Sequence, residues 1–314
     1  MVRTDFHIGS VHFKNRVLAA SGTFGYGDEC ADLVDVQQLG GIVTKSLSLK
    51  PRDGNPPPRI VETPGGMLNS IGLANIGVHR FIAEKLPRLR ALDITVVANI
   101  AASSVDEYCA VLDLLEEAGG AHAYEINVSC PNVKEGGLNF GTDCAMTAGI
   151  TRRLRARTRK PLILKLTPNV AQISTFARAV QDEGADAVSV INTLIGMAID
   201  IRTRKPLLST VTGGLSGPAI KPVALAKVYE TARAVHIPVI GIGGIVTASD
   251  AIEFFLAGAA AVQVGTANFI DPAAGVHVAA GIASWCATQG IEDVGKLVGA
   301  LDAQGGVSVL ESWL

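Results

Sequence analysis

Cysteine is scarce and poorly spaced for structural chemistry: the 314 residues hold five, Cys30, Cys109, Cys130, Cys144 and Cys286, with no CxxC pair. An odd number without close pairs argues against a disulfide framework, a structural zinc site and an iron–sulfur cluster held by this chain alone. An excess of one charge is missing too. The 27 basic and 29 acidic residues leave a formal charge of −2, which argues against a nucleic-acid or anionic-membrane footprint over the whole protein. The opening MVRTDFHIGS lacks the apolar run of a signal peptide. The longest uncharged stretch, Pro272–Ile291, contains His277, Ser284, Thr288, Gln289 and three glycines, so it reads as a buried helix rather than a membrane span. The expected setting is a reducing cytoplasm, with no membrane, nucleic acid or metal as partner.

Hydrophobic residues, by contrast, make up 48%, enough for a sizeable core, and the 34 glycines stand at 34/314, above the usual ~7%. Many turns, or many close approaches of backbone to a ligand, would use such glycines. Short apolar runs alternate with amphipathic segments along the chain. Eight runs read as strands apolar on both faces: Val17–Ala20, Gly41–Thr44, Ile94–Asn99, Ala123–Ser129, Pro161–Leu166, Asp186–Ile191, Ile237–Ile242 and Ala261–Gly265. Val105, Tyr108, Cys109, Leu112 and Leu115 share one helical face, as do Val170, Ile173, Phe176, Ala177 and Val180. Helix starts are read at Pro168-Asn169 and Thr247, and helix ends at Gly119 and Gly184. Eight βα units predict an α/β fold of the (β/α)8 TIM-barrel type, one domain over residues 1–314, with a doubly wound sheet as the alternative. His7–Phe13 reads as a small N-terminal hairpin closing the barrel bottom. Three long βα loops, Ser46–Leu73, Cys130–Gly141 and Asn192–Pro218, follow strand C-terminal ends, where barrel active sites form.

The loops after strands seven and eight carry Gly243-Gly244 and Gly265-Thr266, at the usual phosphate positions of this fold. Tight glycine turns are the competing reading. A GxGxxG dinucleotide fingerprint is not met, because Val246 stands where its last glycine belongs. Lys45, Asn99, Asn127, Lys165 and Asn192 lie at strand ends, where burial without partners would be costly. Together they suit a flat ring rich in heteroatoms, such as a flavin, although Lys165 alone also reads as a barrel-layer residue that snorkels out. Cys130 closes strand four before a loop with Gly136, Gly137 and Gly141, the setting of a base or nucleophile; the competing reading is a small buried apolar residue.

These segments resemble a family, the class 1 dihydroorotate dehydrogenases. The likeness rests on Ala20-Ser-Gly-Thr-Phe-Gly-Tyr-Gly27, Thr44-Lys-Ser46, Asn69-Ser-Ile-Gly-Leu73, Asn127-Val-Ser-Cys-Pro-Asn132, Asn192-Thr193, Gly214-Leu-Ser-Gly-Pro218 and Gly243-Gly244. Phe24-Gly-Tyr-Gly27, Pro51-Arg-Asp-Gly-Asn-Pro56 with Arg59, and Gly196-Met-Ala-Ile-Asp200 make it most similar to the class 1B catalytic subunit. The resemblance implies oxidation of dihydroorotate to orotate in pyrimidine biosynthesis, with Cys130 as base, Lys45 and Lys165 in the catalytic set, and one FMN per chain. The implied FMN residues are Ser21, Lys45, Ser46, Asn99, Asn127, Lys165, Ile191, Gly217, Gly243, Gly244, Gly265 and Thr266. The implied substrate residues are Lys45, Asn69, Ser70, Ile71, Gly72, Leu73, Asn127, Asn132, Asn192 and Thr193. It further implies NAD as final acceptor, reached through a partner subunit carrying FAD and a [2Fe–2S] cluster, in a heterotetramer built on a homodimer of this chain. The rival readings are a fumarate-dependent class 1A enzyme, a pyrimidine-base reductase, a phosphosugar isomerase or lyase, and a non-catalytic scaffold barrel.

Overall fold

Eight short parallel strands pair edge to edge until the sheet closes on itself in a computed structural model that describes residues 2–30, 32–129 and 140–303. In chain order the barrel strands are Val17–Ala19, Gly41–Val43, Thr95–Ile100, Ala123–Asn127, Leu162–Leu166, Ala187–Val190, Val239–Ile242 and Ala261–Val264. Each pairs with its neighbour in sequence, and the eighth closes onto the first through Val262–Val17, Gln263–Leu18 and Val264–Ala19. Closure decides between the two α/β alternatives in favour of the (β/α)8 barrel. The strands are Val- and Ile-rich because both faces are covered, by the barrel interior and by the outer helices. All eight expected strands form, with ends shifted by one or two residues.

The helical layer follows local signals. Ser104 caps Val105–Ala118 by accepting from the Glu107 N–H at 3.1 Å, and Gly119, at φ +67°, ends it. Thr247 and Asp250 form a reciprocal capping box at the start of Ala248–Leu256. The helix expected from Val170 begins instead at Ile173 and runs to Asp182. A bend over residues 168–171 intervenes, where the Asn169 amide donates to the Thr167 hydroxyl at 3.0 Å and to the Thr193 carbonyl at 3.1 Å. The first βα unit is also reduced: between strands one and two the described residues form only the short 3-10 turn Val36–Gln38. The helix after strand eight, Ala274–Thr288, packs back on strand one and covers that gap. Among the described residues no helix is long and apolar enough to cross a membrane.

The hairpin is Phe6–Ile8 with Val11–Phe13, its Phe6 and Phe13 rings stacked at 4.6 Å. It buries Ile8 and Phe13 against Leu18, Val97, Ala123, Ile163 and Ala261, side chains from the barrel interior. The bottom is thereby plugged, leaving the opposite end for a ligand. There the loops after strands two and six carry regular structure. They form a four-stranded antiparallel sheet, in the order Leu194–Met197, Thr212–Ser216, Gly66–Asn69, Ile60–Thr63. Gly213 and Gly214 admit no side chain here, since a Cβ would lie 2.6 Å from the Asn69 carbonyl and 2.2 Å from the Thr193 hydroxyl respectively.

Two glycines test these contacts. Gly149, inside the helix Cys144–Arg155, faces open space, so Gly149→Ala should raise the urea unfolding midpoint by about 0.5–1 kcal/mol of stability. Gly40→Ala would place a Cβ 1.8 Å from the Asn15 carbonyl oxygen, so it should lower the midpoint. A loss with Gly149→Ala, or none with Gly40→Ala, contradicts this packing.

Candidate active site

Two of the polar residues at the strand ends, Asn99 and Lys165, converge on a carboxylate that is not among the expected site residues. Glu125, on strand four, is fully buried. Its Oε1 accepts from the Asn99 side-chain amide at 2.7 Å and lies 3.6 Å from the Lys165 ammonium. Its Oε2 accepts from the Ser189 hydroxyl at 2.8 Å and the Gln263 amide at 2.7 Å. Strand eight lies opposite strand four in an eight-stranded barrel, so Glu125 reaches across the interior. The Lys165 side chain is only 7% exposed. It is thus no snorkelling surface lysine but the cation of a buried pair.

Above this layer the strand ends meet one another. The Asn127 carbonyl Oδ1 accepts from the Ser129 N–H at 3.2 Å and from the Asn192 amide at 3.3 Å. The Asn192 Oδ1 in turn accepts from the Thr193 N–H at 2.9 Å. Thr44 accepts from the Asn99 N–H, which places Lys45 next in chain beside the same layer. Burial pushes the Lys45 ammonium below the usual lysine range; Glu29 opposes this shift and the neighbouring Arg59 cation adds to it. Ile191, buried at the end of strand six, contributes an apolar wall.

Segment 69–73 is fixed from outside by its own hydrogen bonds. The Asn69 amide donates to the Gly214 carbonyl at 3.2 Å, and the Ser70 N–H to the Arg59 carbonyl at 2.7 Å. The Ile71 carbonyl accepts from the Asn55 N–H at 3.1 Å, and the Leu73 carbonyl from the Asn75 amide at 2.7 Å. Gly72, at φ +73°, passes so close to Asn55 that a Cβ would lie 2.6 Å from its nitrogen. Leu73 also has a positive φ, +57°. Asn75 and Asn169, which brace these segments, carry no sequence signal beyond being amides near a predicted site.

A second cluster gathers the loops after strands six, seven and eight. The Thr266 hydroxyl donates to Ser216 at 2.8 Å, while Gly217 and Gly244 are in backbone contact: a Cβ on Gly244 would lie 2.9 Å from the Gly217 carbonyl. Gly217, Gly243 and Gly244 have φ of +96°, +132° and +73°. Gly265 lies under Ala20 and Thr23, next to Ser21. Ser46 is buried. Glycine is required at 243 and 244 on two counts, positive φ and close neighbours, so the cradle leaves backbone N–H groups without side-chain cover.

Cys130 and Asn132 lie outside the described residues. Of the other cysteines, burial raises the thiols of Cys30, Cys144 and Cys286, which disfavours the nucleophilic thiolate. Two amide oxygens, Asn99 Oδ1 and Gln263 Oε1, are among the buried atoms that find no partner among the described residues. Glu125 and Gln263 could have been singled out in the sequence: Glu125 is the one charged residue of its strand and Gln263 the one polar residue of an otherwise apolar strand, where burial demands a partner.

Comparison with known proteins agrees with this geometry. The family model described as Dihydroorotate dehydrogenase matches residues 4–285. A "Dihydroorotate dehydrogenase B (NAD(+)), catalytic subunit" of Trichlorobacter lovleyi is 56% identical over 295 residues, covering 94% of this chain and 97% of its own. Proteins of the same description from Pelobacter propionicus and Thermodesulfovibrio yellowstonii are 54% and 53% identical, each over 94% of this chain and 97% and 98% of their own. Among solved structures, a DHODH from Eimeria tenella in complex with ferulenol superposes with a TM-score of 0.80 at 20% identity, over 95% of this chain and 88% of that one, and shows the shared fold. This chain belongs to the dihydroorotate dehydrogenase family.

Proposed function

We propose that the chain is the catalytic subunit of an NAD-dependent dihydroorotate dehydrogenase, oxidising (S)-dihydroorotate to orotate in pyrimidine biosynthesis. One observation carries the reading: Asn99, Asn127, Lys165 and Asn192, brought from four strands, lie in two adjoining polar layers toward the open barrel end, Asn99 and Lys165 on Glu125 and Asn127 and Asn192 on each other. In this reading residues 1–314 are a single FMN-binding barrel domain.

The residues present fit FMN. The orphaned Asn99 Oδ1 calls for an N–H donor, which a flavin ring has. The glycine cradle of Gly217, Gly243 and Gly244, with Gly265 and Thr266, suits a phosphate. Ser21, Lys45, Ser46, Asn99, Asn127, Lys165 and Ile191 would complete the holding set. When bound, the flavin supplies the acceptor for the hydride from substrate C6.

The chain's own groups do the rest. Cys130 removes the proton from C5. Lys45 and the amides of Asn69, Asn127, Asn132 and Asn192, with Thr193, hold the substrate's carboxylate and ring. Ser70, Ile71, Gly72 and Leu73 offer backbone and side chains from a segment whose shape Arg59, Asn55 and Asn75 already set. Lys165 holds positive charge against the ring, where reduction gathers negative charge. Electrons leave through a partner subunit with FAD and a [2Fe–2S] cluster, which this chain's cysteines do not supply, in a heterotetramer of two chains of each kind.

Three expectations test the reading. Cys130→Ala should lower turnover at neutral pH by about 10²–10⁴-fold while flavin stays bound, and Cys130→Ser should leave weak activity shifted to alkaline pH; full activity in either variant removes Cys130 from the role. Purified with a co-expressed partner, the chain should oxidise dihydroorotate with NAD; activity of the isolated chain with fumarate instead would make it a class 1A enzyme. Lys45→Met should weaken orotate binding about 10–100-fold, as loss of a charge-assisted bond does. The same variant should melt at a higher temperature. A buried lysine with a lowered folded-state pKa costs stability at neutral pH, and that cost fades as pH rises through the window below 10.5, so the variant's advantage should shrink there. An equal or growing advantage at alkaline pH contradicts the burial of a charged Lys45.

A further inference from the structure

Glu125 is a fully buried carboxylate that the proposed reaction does not use. Its chemistry constrains its neighbours. A carboxylate can only accept, so each amide that faces it must turn its NH2 inward. Asn99 and Gln263 both do so, at 2.7 Å, and Ser189 donates its hydroxyl at 2.8 Å. The outcome is visible on the other side of both amides. Asn99 Oδ1 and Gln263 Oε1, the other ends of these two amides, are both buried with no partner among the described residues. One acid therefore sets the polarity of two amides and stands 3.6 Å from Lys165 as its counter-charge. It does this from inside the barrel, below the open end, where it need not touch a ligand.

Resting on the flavin reading above, we propose that Glu125 is the positioning residue that sets the flavin's reduction potential. It does so by holding Asn99 with its carbonyl outward and by offsetting the positive charge of Lys165. A single lysine against the ring favours the reduced, more negative form; a carboxylate in the same low-dielectric layer tempers that pull. The potential is then set by a buried pair rather than by the lysine alone. Ser189 and Gln263 hold the carboxylate in place from strands six and eight, so the pair does not depend on the flavin for its geometry.

The test is spectroelectrochemistry of the full chain loaded with FMN, against a redox dye, comparing wild type, Glu125→Gln, Glu125→Asp and Ser189→Ala. Glu125→Gln removes the charge at nearly constant volume. At a fixed applied potential its ratio of reduced to oxidised flavin should rise on the order of tenfold, the scale of one partly screened charge in a protein interior. Ser189→Ala removes a hydrogen bond to the same carboxylate but no charge, and should leave the ratio at the wild-type value. If Glu125→Gln does not fold, Glu125→Asp answers the question: it draws the charge back from Lys165 by one methylene, so the ratio should rise in the same direction by less. Flavin-loaded variants at Glu125 with the wild-type ratio overturn the proposal. So does an equal shift in Ser189→Ala, which would mark a general loosening of the layer. A wild-type chain that binds no FMN overturns the flavin reading itself, and this inference with it.

Discussion

Closure of a parallel sheet into a barrel forces all eight strand C-termini to one end. The rest of the molecule follows from that constraint. Residues 45, 99, 127, 165 and 192, far apart in the chain, become neighbours because each follows or ends a strand. The hairpin at the other end makes the arrangement one-sided, since Ile8 and Phe13 fill the interior that a ligand might otherwise enter. The long loops after strands two and six have only one place to meet, and there they pair into a sheet that roofs the open end.

A barrel interior is an expensive place for polar atoms, and the way this one places them explains its order. Below, the interior is apolar. In the middle layer one carboxylate gathers donors from four other strands, so that Asn99, Lys165, Ser189 and Gln263 are held by a common acceptor. Above it Asn127 and Asn192 bond to each other and to backbone. Within the middle layer the Asn99 and Gln263 amide oxygens are left without a partner among the described residues. The glycine cluster works by the opposite means: at Gly217 and Gly244 the absence of a side chain lets two loops touch.

Much of the architecture was legible because its signals are local. The eight strands are apolar on both faces, which marks them in a single pass, and Thr247 and Gly119 announce a helix start and a helix end by their own chemistry. The roofing sheet was not legible. Its strands are short and partly exposed, and Thr212–Ser216 carries two glycines, so neither alternation nor β-propensity marks it; pairing with Gly66–Asn69 from a distant loop creates it. The start of the helix at Ile173 was misread for a related reason, since the side chain of Asn169 bonds across to Thr193 on another loop. Among the site residues, lysines and amides at strand ends drew attention at once. Glu125 did not, because a lone acid in a strand declares its partners only when Gln263 arrives from the far side of the barrel.

By itself, then, the amino-acid order determined the class of fold, the end of the barrel that would carry chemistry, and the residue types gathered there. These depend on hydrophobic period, turn residues and motif spacing, all of which act over a few positions along the chain. Only the tertiary structure decided that Lys165 is a paired interior cation rather than a snorkelling one, which way the Asn99 amide faces, and that two loops form a sheet. Those outcomes depend on distances between strands remote in sequence, and hydrogen bonds and buried charges act over a few ångströms of space, whatever the separation in the chain.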